Sequence, residues 1–525
     1  MRGCGCGANR SRTSSFFLKF SMSTAPSLTR TVVKNASANL VRLAGAGVVA
    51  LLLPPFLVRE LSKEAYGAWS LLLQLTLYVG YLDFGIQTAV SRFVAHADEL
   101  GDSRQRDGVV STAFVMLSAA ALLGCGVVIV LAWQLPNLFR QMPVALYQPA
   151  QIALLFMGIS FALGLPVSVI HALFIGLQRN EIPAAVAIAN KIAMAGLVTG
   201  VVLKHWGLAA MGASVALANV FSYLGAFVAW RAWAGRIRLH LTRVSRAYAR
   251  QIGGYSVSVV VWMVAMLMIS GLDLSIVGIF DYKMTAYYAI AATLTNFVAQ
   301  AQGAIFSALL PASAVLGARG DGERLGVMLV SSTRYGMLIL MAMALPLVLG
   351  GHWIVRLWAG ADYAQHATLI LQVLVIANVI RLCALPYSTL LLGTGQQSKV
   401  IASPLAEGVT NLIASIVGAY FFGAIGVALG TLLGAFVSVG LHLFYNIPRT
   451  ALIVIDRMRL VKEGLLRPSF CALPFIALLV VGPVKDFQGY VFLLVLATIT
   501  AALLFWNFGL LQAERQRLAH VLGLI

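Results

Sequence analysis

Seven charged side chains fall inside apolar runs of this sequence: Arg42, Asp83, Lys191, Asp273, Arg334, Arg381 and Glu407. A charge near the centre of a bilayer costs roughly 2.5–3.5 kcal/mol on insertion scales, so each of the seven calls for a reason. Arginine forms bidentate hydrogen bonds with phosphate or carboxylate oxygens, and lysine acts as a compact point charge. Carboxylates neutralise such cations or bind a coupling ion. Four cations, Arg42, Lys191, Arg334 and Arg381, against three anions, Asp83, Asp273 and Glu407, leave a mildly positive interior suited to an anionic ligand.

Asp83 sits in the stretch "GYLDFGIQTAVSRFVA", residues 80–95. At about 1.5 Å per helical residue, Arg42 and Asp83 lie at similar depths from one end of the first two spans, so the two can pair. A purely structural ion pair is the competing reading. Arg42 and Arg334 also lie near enough to an interface to snorkel, whereas Lys191 and Arg381 lie deeper and are the stronger cavity candidates. Asn39, Asn190, Asn219, Asn296, Asn378 and Asn411 read first as hydrogen-bonding glue between helices, with sugar hydroxyls as the alternative partner. His171 and His442 have no acid or cysteine at ligand spacing, and no metal site or cofactor is expected. Pro54, Pro55, Pro166, Pro183, Pro311, Pro346, Pro386 and Pro404 interrupt spans as kinks or hinges.

The elements that position these groups are membrane helices. The chain is 60% hydrophobic and 10% charged, with a mean hydropathy of +0.89, which excludes a soluble domain with a wettable surface. Apolar runs predict an all-α integral membrane protein of about 14 spans, with about 12 as the alternative; the thirteenth is short. Of the 37 Lys and Arg, most fall on one side of the membrane when both termini are placed in the cytoplasm. The net charge of +19 is therefore an orientation signal, not a nucleic-acid surface. The basic stretch "RAWAGRIRLHLTRVSRAYAR" (231–250) reads as a lipid-facing patch against anionic headgroups, with Arg243, Arg246 and Arg250 on one helical face. Asp98, Glu99, Asp102 and Asp107, alternating with Arg104 and Arg106, read as a solvated turn. Five cysteines, three of them in spans, do not form a disulfide framework. Residues 1–21 stand outside the fold argument, with Met1 and Met22 as alternative starts.

The chain also repeats itself. "EAYGAW" (64–69) matches "TAYYAI" (285–290) at an offset of 221, "LPVS" (165–168) matches "LPYS" (385–388) at 220, and "MGAS" (211–214) resembles "IGVA" (425–428) at 214. The offset covers an even number of spans, so the copies share one orientation, as expected of two pseudo-symmetric six-helix lobes around a central pathway. The organisation expected is a cytoplasmic segment (1–35), an N-lobe (36–233), a basic linker (234–251), a C-lobe (252–447), and a loop, two further helices and a cytoplasmic tail (448–525). "GTGQQSK" (393–399) lacks the Gly-Lys pair of a phosphate loop, and no nucleophile, metal or acid–base constellation appears, so an enzyme is not expected.

Three segments carry a family resemblance. "PPFLVRELSKEAYGAWSLLLQLTLYVGYLDFGIQTAVSRFVA" (54–95), "GLDLSIVGIFDYKMTAYYAIAATL" (271–294) and "IVRLWAGADYAQHA" (354–367) resemble the polysaccharide transporter family, the Wzx-type O-antigen and capsule flippases. The likeness implies a bilobed exporter fold of the multidrug/oligosaccharidyl-lipid/polysaccharide superfamily. It also implies a polyprenyl-pyrophosphate-linked oligosaccharide as cargo, flipped across a bacterial inner membrane beside polymerases or glycosyltransferases. Two other readings stand beside it: a drug/cation antiporter of the same superfamily, which wants an acid-dominated cavity, and a membrane-embedded glycosyl- or acyltransferase.

Overall fold

A computed structural model describes residues 45, 47–235, 237, 239–450, 452–481 and 487–509. The described residues are helical throughout, with no strand among them, and the protein is an all-α integral membrane protein. Seven helices are long and apolar enough to span a bilayer, or nine if each of two bent pairs is one span. The expected spans beyond these are broken, doubled back or only partly described.

The first lobe contains α1 (residues 47–60), α2 (Lys63–Gly80), α3 (Ile86–Glu99), α4 (Ser103–Leu138), α5 (Val144–Gly176), α6 (Glu181–Leu203) and α7 (Gly207–Trp233). The second expected span is α2 and α3 together, separated by a turn at Tyr81–Asp83 and by Phe84 and Gly85 in left-handed conformation. Gly85 is required twice over: its φ is +72°, and a Cβ there would stand 2.5 Å from Val259 of the other lobe.

The second lobe contains α8 (Arg246–Met266), α9 (Asp273–Phe280), α10 (Thr285–Phe306), α11 (Leu309–Ala318), α12 (Gly322–Ala359), α13 (Ala361–Leu382), α14 (Leu385–Gly393) and α15 (Ala402–Leu441). α8 and α9 form one span interrupted by a π-helical segment, Leu267–Gly271. α15 is two spans: the chain reverses at Gly423 (φ +60°), and Ser415 Oγ on the outgoing limb donates to Val427 O on the returning one. Two shorter helices follow, α16 (Leu473–Val481) and α17 (Phe487–Leu504), packed on each other, with α16 also against α12.

The repeat is visible in the helix starts. Asp102 and Asp321, 219 apart, cap α4 and α12 in the same way, accepting from the backbone N–H of Gln105 at 2.8 Å and Arg324 at 3.1 Å. Both capped helices then run the length of the bundle, 36 and 38 residues. Of the expected proline hinges, Pro166 and Pro346 lie inside continuous helices, while Pro311 and Pro386 follow real breaks. The sharper interruptions are at Gly85, Gly271 and Gly423, because a free carbonyl or a left-handed residue bends a helix as proline does.

Two surface expectations need correction. Arg243, Arg246 and Arg250 do not share one helical face, because α8 begins at Arg246 and Arg243 lies in the preceding turn. Arg243 instead pairs with Asp107 of α4 at 2.6 Å. Asp107 is accordingly buried, at 6% exposure, and is no part of a solvated turn; Asp98 is paired with Arg106 at 2.8 Å. An arginine facing a buried carboxylate is held there because either group alone would be left uncompensated.

Candidate functional site

A cavity of about 830 Å³ lies between the lobes. Its wall draws on α1, α2, α3, α5, α6 and α7 from one side and on the π segment, α9, α10, α13 and α15 from the other. Four of the seven expected charges line it: Asp83 and Lys191 in the first lobe, Asp273 and Arg381 in the second.

Each is held differently. Lys191, midway along α6, is exposed within the open space. Arg381, in the last turn of α13, donates from Nη2 to Asn378 Oδ1 at 2.5 Å, one turn earlier on the same helix, which fixes the direction of its guanidinium. Asp273 opens α9 just beyond the π segment. It is 7% exposed, and its Oδ2 accepts from Tyr288 at 3.3 Å and Thr431 at 3.1 Å. Its Oδ1 has no hydrogen-bond partner among the described residues.

The described residues give Asp83 a partner other than Arg42, which lies outside them. Its Oδ1 accepts from the backbone N–H of Gln87 at 3.3 Å, at the start of α3. A carboxylate there satisfies an N–H that the helix cannot, and it meets the positive end of the helix dipole. The break at Phe84–Gly85 is what brings a helix start to mid-span and gives the buried charge a use.

Arg334 and Glu407 are not part of the cavity wall. Arg334 is 1% exposed inside the C-lobe, 5.7 Å from the centroid of the Tyr335 ring, and Glu407 is 5% exposed in the α15 hairpin. The described wall therefore carries two cations and two anions, and the mildly positive interior expected from composition is not present there. Among the amides, Asn411, at 1% exposure, donates to Ile269 O at 2.6 Å and acts as glue, whereas Asn190, Asn219 and Asn296 line the cavity. Asn39 lies outside the described residues. His171 lines the cavity, and His442 lies 2.8 Å from Asn446 Nδ2 away from it. No cluster of metal-ligating residues occurs among the described residues.

Two sets of residues that sequence reasoning missed join the lobes. Gln74 Nε2 and Tyr78 Oη, both on α2, donate to Gly271 O, each at 2.6 Å, and Tyr78 Oη also meets Ser275 Oγ at 2.7 Å. The carbonyl freed where span 7 breaks is thus satisfied by the opposite lobe. Farther along, the lobes close at the end of the bundle that carries Lys63. Lys63 Nζ pairs with Asp362 Oδ1 at 2.8 Å, Tyr287 Oη donates to Asp362 Oδ2 at 2.7 Å, and Tyr282 Oη donates to Glu64 O at 2.9 Å. Trp358 Nε1 donates to Leu51 O at 2.9 Å. Tyr66 and Tyr287, equivalent positions in the repeated "AY" motif, flank the ring of Tyr363 at 6.4 and 5.1 Å between centroids. That repeat match was a partial signal: Tyr66 and Tyr287 of the matched hexapeptides belong to the seal, while their partners lie outside the match. Lys63 is held above the ordinary ammonium range by its hydrogen bond to Asp362 and then by that to Tyr287.

The fold resembles that of solved transporters, members of the MOP superfamily among them. The chain is similar to a MATE family multidrug resistance transporter in an inward-facing conformation, with a TM-score of 0.62, 16% identity, and coverage of 79% of this chain and 98% of that one. It is also similar to the lipid II flippase MurJ in an inward closed conformation, with a TM-score of 0.68, 12% identity, and coverage of 90% and 99%. A third likeness is to a MOP transporter from Pyrococcus furiosus described by a reverse polarity of its binding pocket, at a TM-score of 0.52, 15% identity, and coverage of 81% and 95%. No family model and no curated protein matches the chain, so the narrower resemblance rests on its quoted motifs alone.

Proposed function

We propose that this protein is a flippase that moves a polyprenyl-pyrophosphate-linked oligosaccharide across a bacterial inner membrane by alternating access. The observation that carries the reading is the placement of Arg381 and Lys191 on opposite lobes of one cavity, beneath a closed end. A pyrophosphate leaves water only where fixed positive charge replaces its hydration. Arg381, aimed by Asn378, supplies a planar fork for two phosphate oxygens, and Lys191 supplies a charge that adjusts as the lobes move. A volume of about 830 Å³ is within the range of small-molecule sites and accommodates a short glycan on a pyrophosphate, while the polyprenyl chain stays in lipid.

The excess of Lys and Arg on one side supports an orientation with the Arg243 end and both termini in the cytoplasm and the Lys63 end outside. The closed Lys63 end then corresponds to a state that loads from the cytoplasmic leaflet. Cytoplasmic glycosyltransferases would supply the cargo, and a polymerase would consume it outside. Anionic lipids would surround the basic linker. No bond is made or broken in this cycle, so the residues named bind and orient and none is catalytic.

One observation favours a second reading. Asp273 presents a carboxylate oxygen without a hydrogen-bond partner among the described residues, a group that a drug/cation antiporter would use to bind a cation. Deleting the gene and extracting the lipid-linked intermediates separates the two. Accumulation of a complete polyprenyl-pyrophosphate glycan on the cytoplasmic side supports the flippase, and increased drug sensitivity with no accumulated glycan supports the antiporter.

A further inference from the structure

The wall of the first lobe contains a set of neutral polar groups that the charged residues do not explain. Tyr223 Oη donates to Ser160 O at 2.8 Å, Asn219 Nδ2 donates to Ser160 Oγ at 3.1 Å, and Asn190 Nδ2 donates to Asn219 Oδ1 at 3.1 Å and to Ala218 O at 3.3 Å. The chain of bonds ties α5, α6 and α7 together, with Ser160 buried at its root. Asn190, Asn219 and Tyr223 remain half-buried and line the cavity, unlike the gluing Asn411, which is 1% exposed.

The backbone makes room for this arrangement. Gly164 lies one turn beyond Ser160 on α5, and a Cβ there would collide with the Tyr223 hydroxyl. The ring of Phe161, from the same turn of α5, also lines the cavity. An amide has two donors and an acceptor oxygen, and a phenol donates and accepts; the network engages only part of that capacity. Preorganised neutral groups of both polarities beside an aromatic face suit hydroxyl groups and sugar rings, and they do nothing to replace the hydration of an anion.

We propose that Asn190, Asn219 and Tyr223 form the glycan subsite of the cavity, binding the neutral sugar while Lys191 and Arg381 bind the pyrophosphate. The proposal rests on the flippase reading and adds where cargo selectivity resides. A site built to hydrogen-bond substrate hydroxyls discriminates against an analogue that lacks them, because its own polar groups are then left unpaired.

The test uses full-length protein in proteoliposomes with two probes, undecaprenyl pyrophosphate carrying a chitobiose disaccharide and bare undecaprenyl pyrophosphate. The readout is the ratio of their transport rates. Wild-type protein should prefer the glycosylated probe by about tenfold or more, the equivalent of one or two hydrogen bonds. Asn190→Ala with Asn219→Ala, and separately the near-isosteric Tyr223→Phe, should bring the ratio towards unity. Gly164→Ala should follow Tyr223→Phe. Lys191→Ala, which acts on the part common to both probes, should slow both and leave the ratio as in wild type. A wild-type ratio of one, or variants that keep the wild-type ratio, overturns the subsite. Failure of wild-type protein to move either probe overturns the flippase reading itself and the subsite with it.

Discussion

Arg381 and Lys191 sit on opposite lobes, and their side chains differ in what they offer a phosphate. Arg381→Ala removes a charged, bidentate donor, so transport should fall by about ten- to a hundredfold, the equivalent of one charge-assisted bond of 1.5–3 kcal/mol. Arg381→Lys keeps the charge without the fork and should recover part of that loss; Lys191→Ala should fall in the same direction. Initial rates in proteoliposomes at equal protein insertion check all three, and full activity of both alanine variants would remove the two cations from the mechanism. At the closed end, the Lys63–Asp362 pair is exposed and contributes little energy alone, so its role is orientation. The raised pKa of Lys63 means that its contribution to closure is complete at pH values below its unfolded pKa and is lost only as pH rises through the higher folded value. Thiol accessibility of a cysteine at position 66 should therefore stay constant with rising pH through the neutral range and increase in strongly alkaline buffer, whereas Asp362→Asn should increase it already at neutral pH.

At the level of elements, the break between α2 and α3 explains the residue that drew attention first. Reading Asp83 against helix depth pointed to Arg42, because an unbroken span leaves a mid-membrane carboxylate no backbone partner. The turn at Tyr81–Asp83 gives it one. The pairing with Arg42 lies outside the described residues; the helix start in mid-span is specified by two left-handed residues, Phe84 and Gly85, and hydropathy does not register them. Loss of such a cap costs about 0.5–2 kcal/mol, and asparagine caps about as well as aspartate. Asp83→Asn should accordingly keep wild-type thermal stability in detergent and Asp83→Ala should lose it. If the asparagine variant proved as unstable as the alanine one, charge pairing and not capping would be the reason for Asp83. The first repeat match, 64–69 with 285–290, opens a helix in each copy, and the helix caps Asp102 and Asp321 recur at nearly the same offset. Arg334, expected as a cavity cation, lies off the cavity wall, because depth along a helix says nothing about which side of it faces the pathway.

For the molecule as a whole, composition was enough to read an all-α membrane bundle, since lipid leaves few alternatives for the backbone. Beyond the paired tyrosines of the repeat, the seal between the lobes was not legible: it depends on pairs far apart in sequence, such as Lys63 with Asp362 and Trp358 with Leu51, that single spans do not announce. That seal defines the state of the protein. A cavity closed at one end and lined by a cation from each lobe does work only if the closed end opens in turn. The most direct measurement replaces Lys63 and Asp362 with cysteines, removes the native cysteines, and follows flipping of a polyprenyl-pyrophosphate-linked glycan in proteoliposomes before and after a cleavable thiol cross-linker joins the two positions. Transport should stop on cross-linking and return when the linker is cleaved. Undiminished transport by the cross-linked protein, or no transport by the uncross-linked one, would contradict alternating access of this cargo through the cavity.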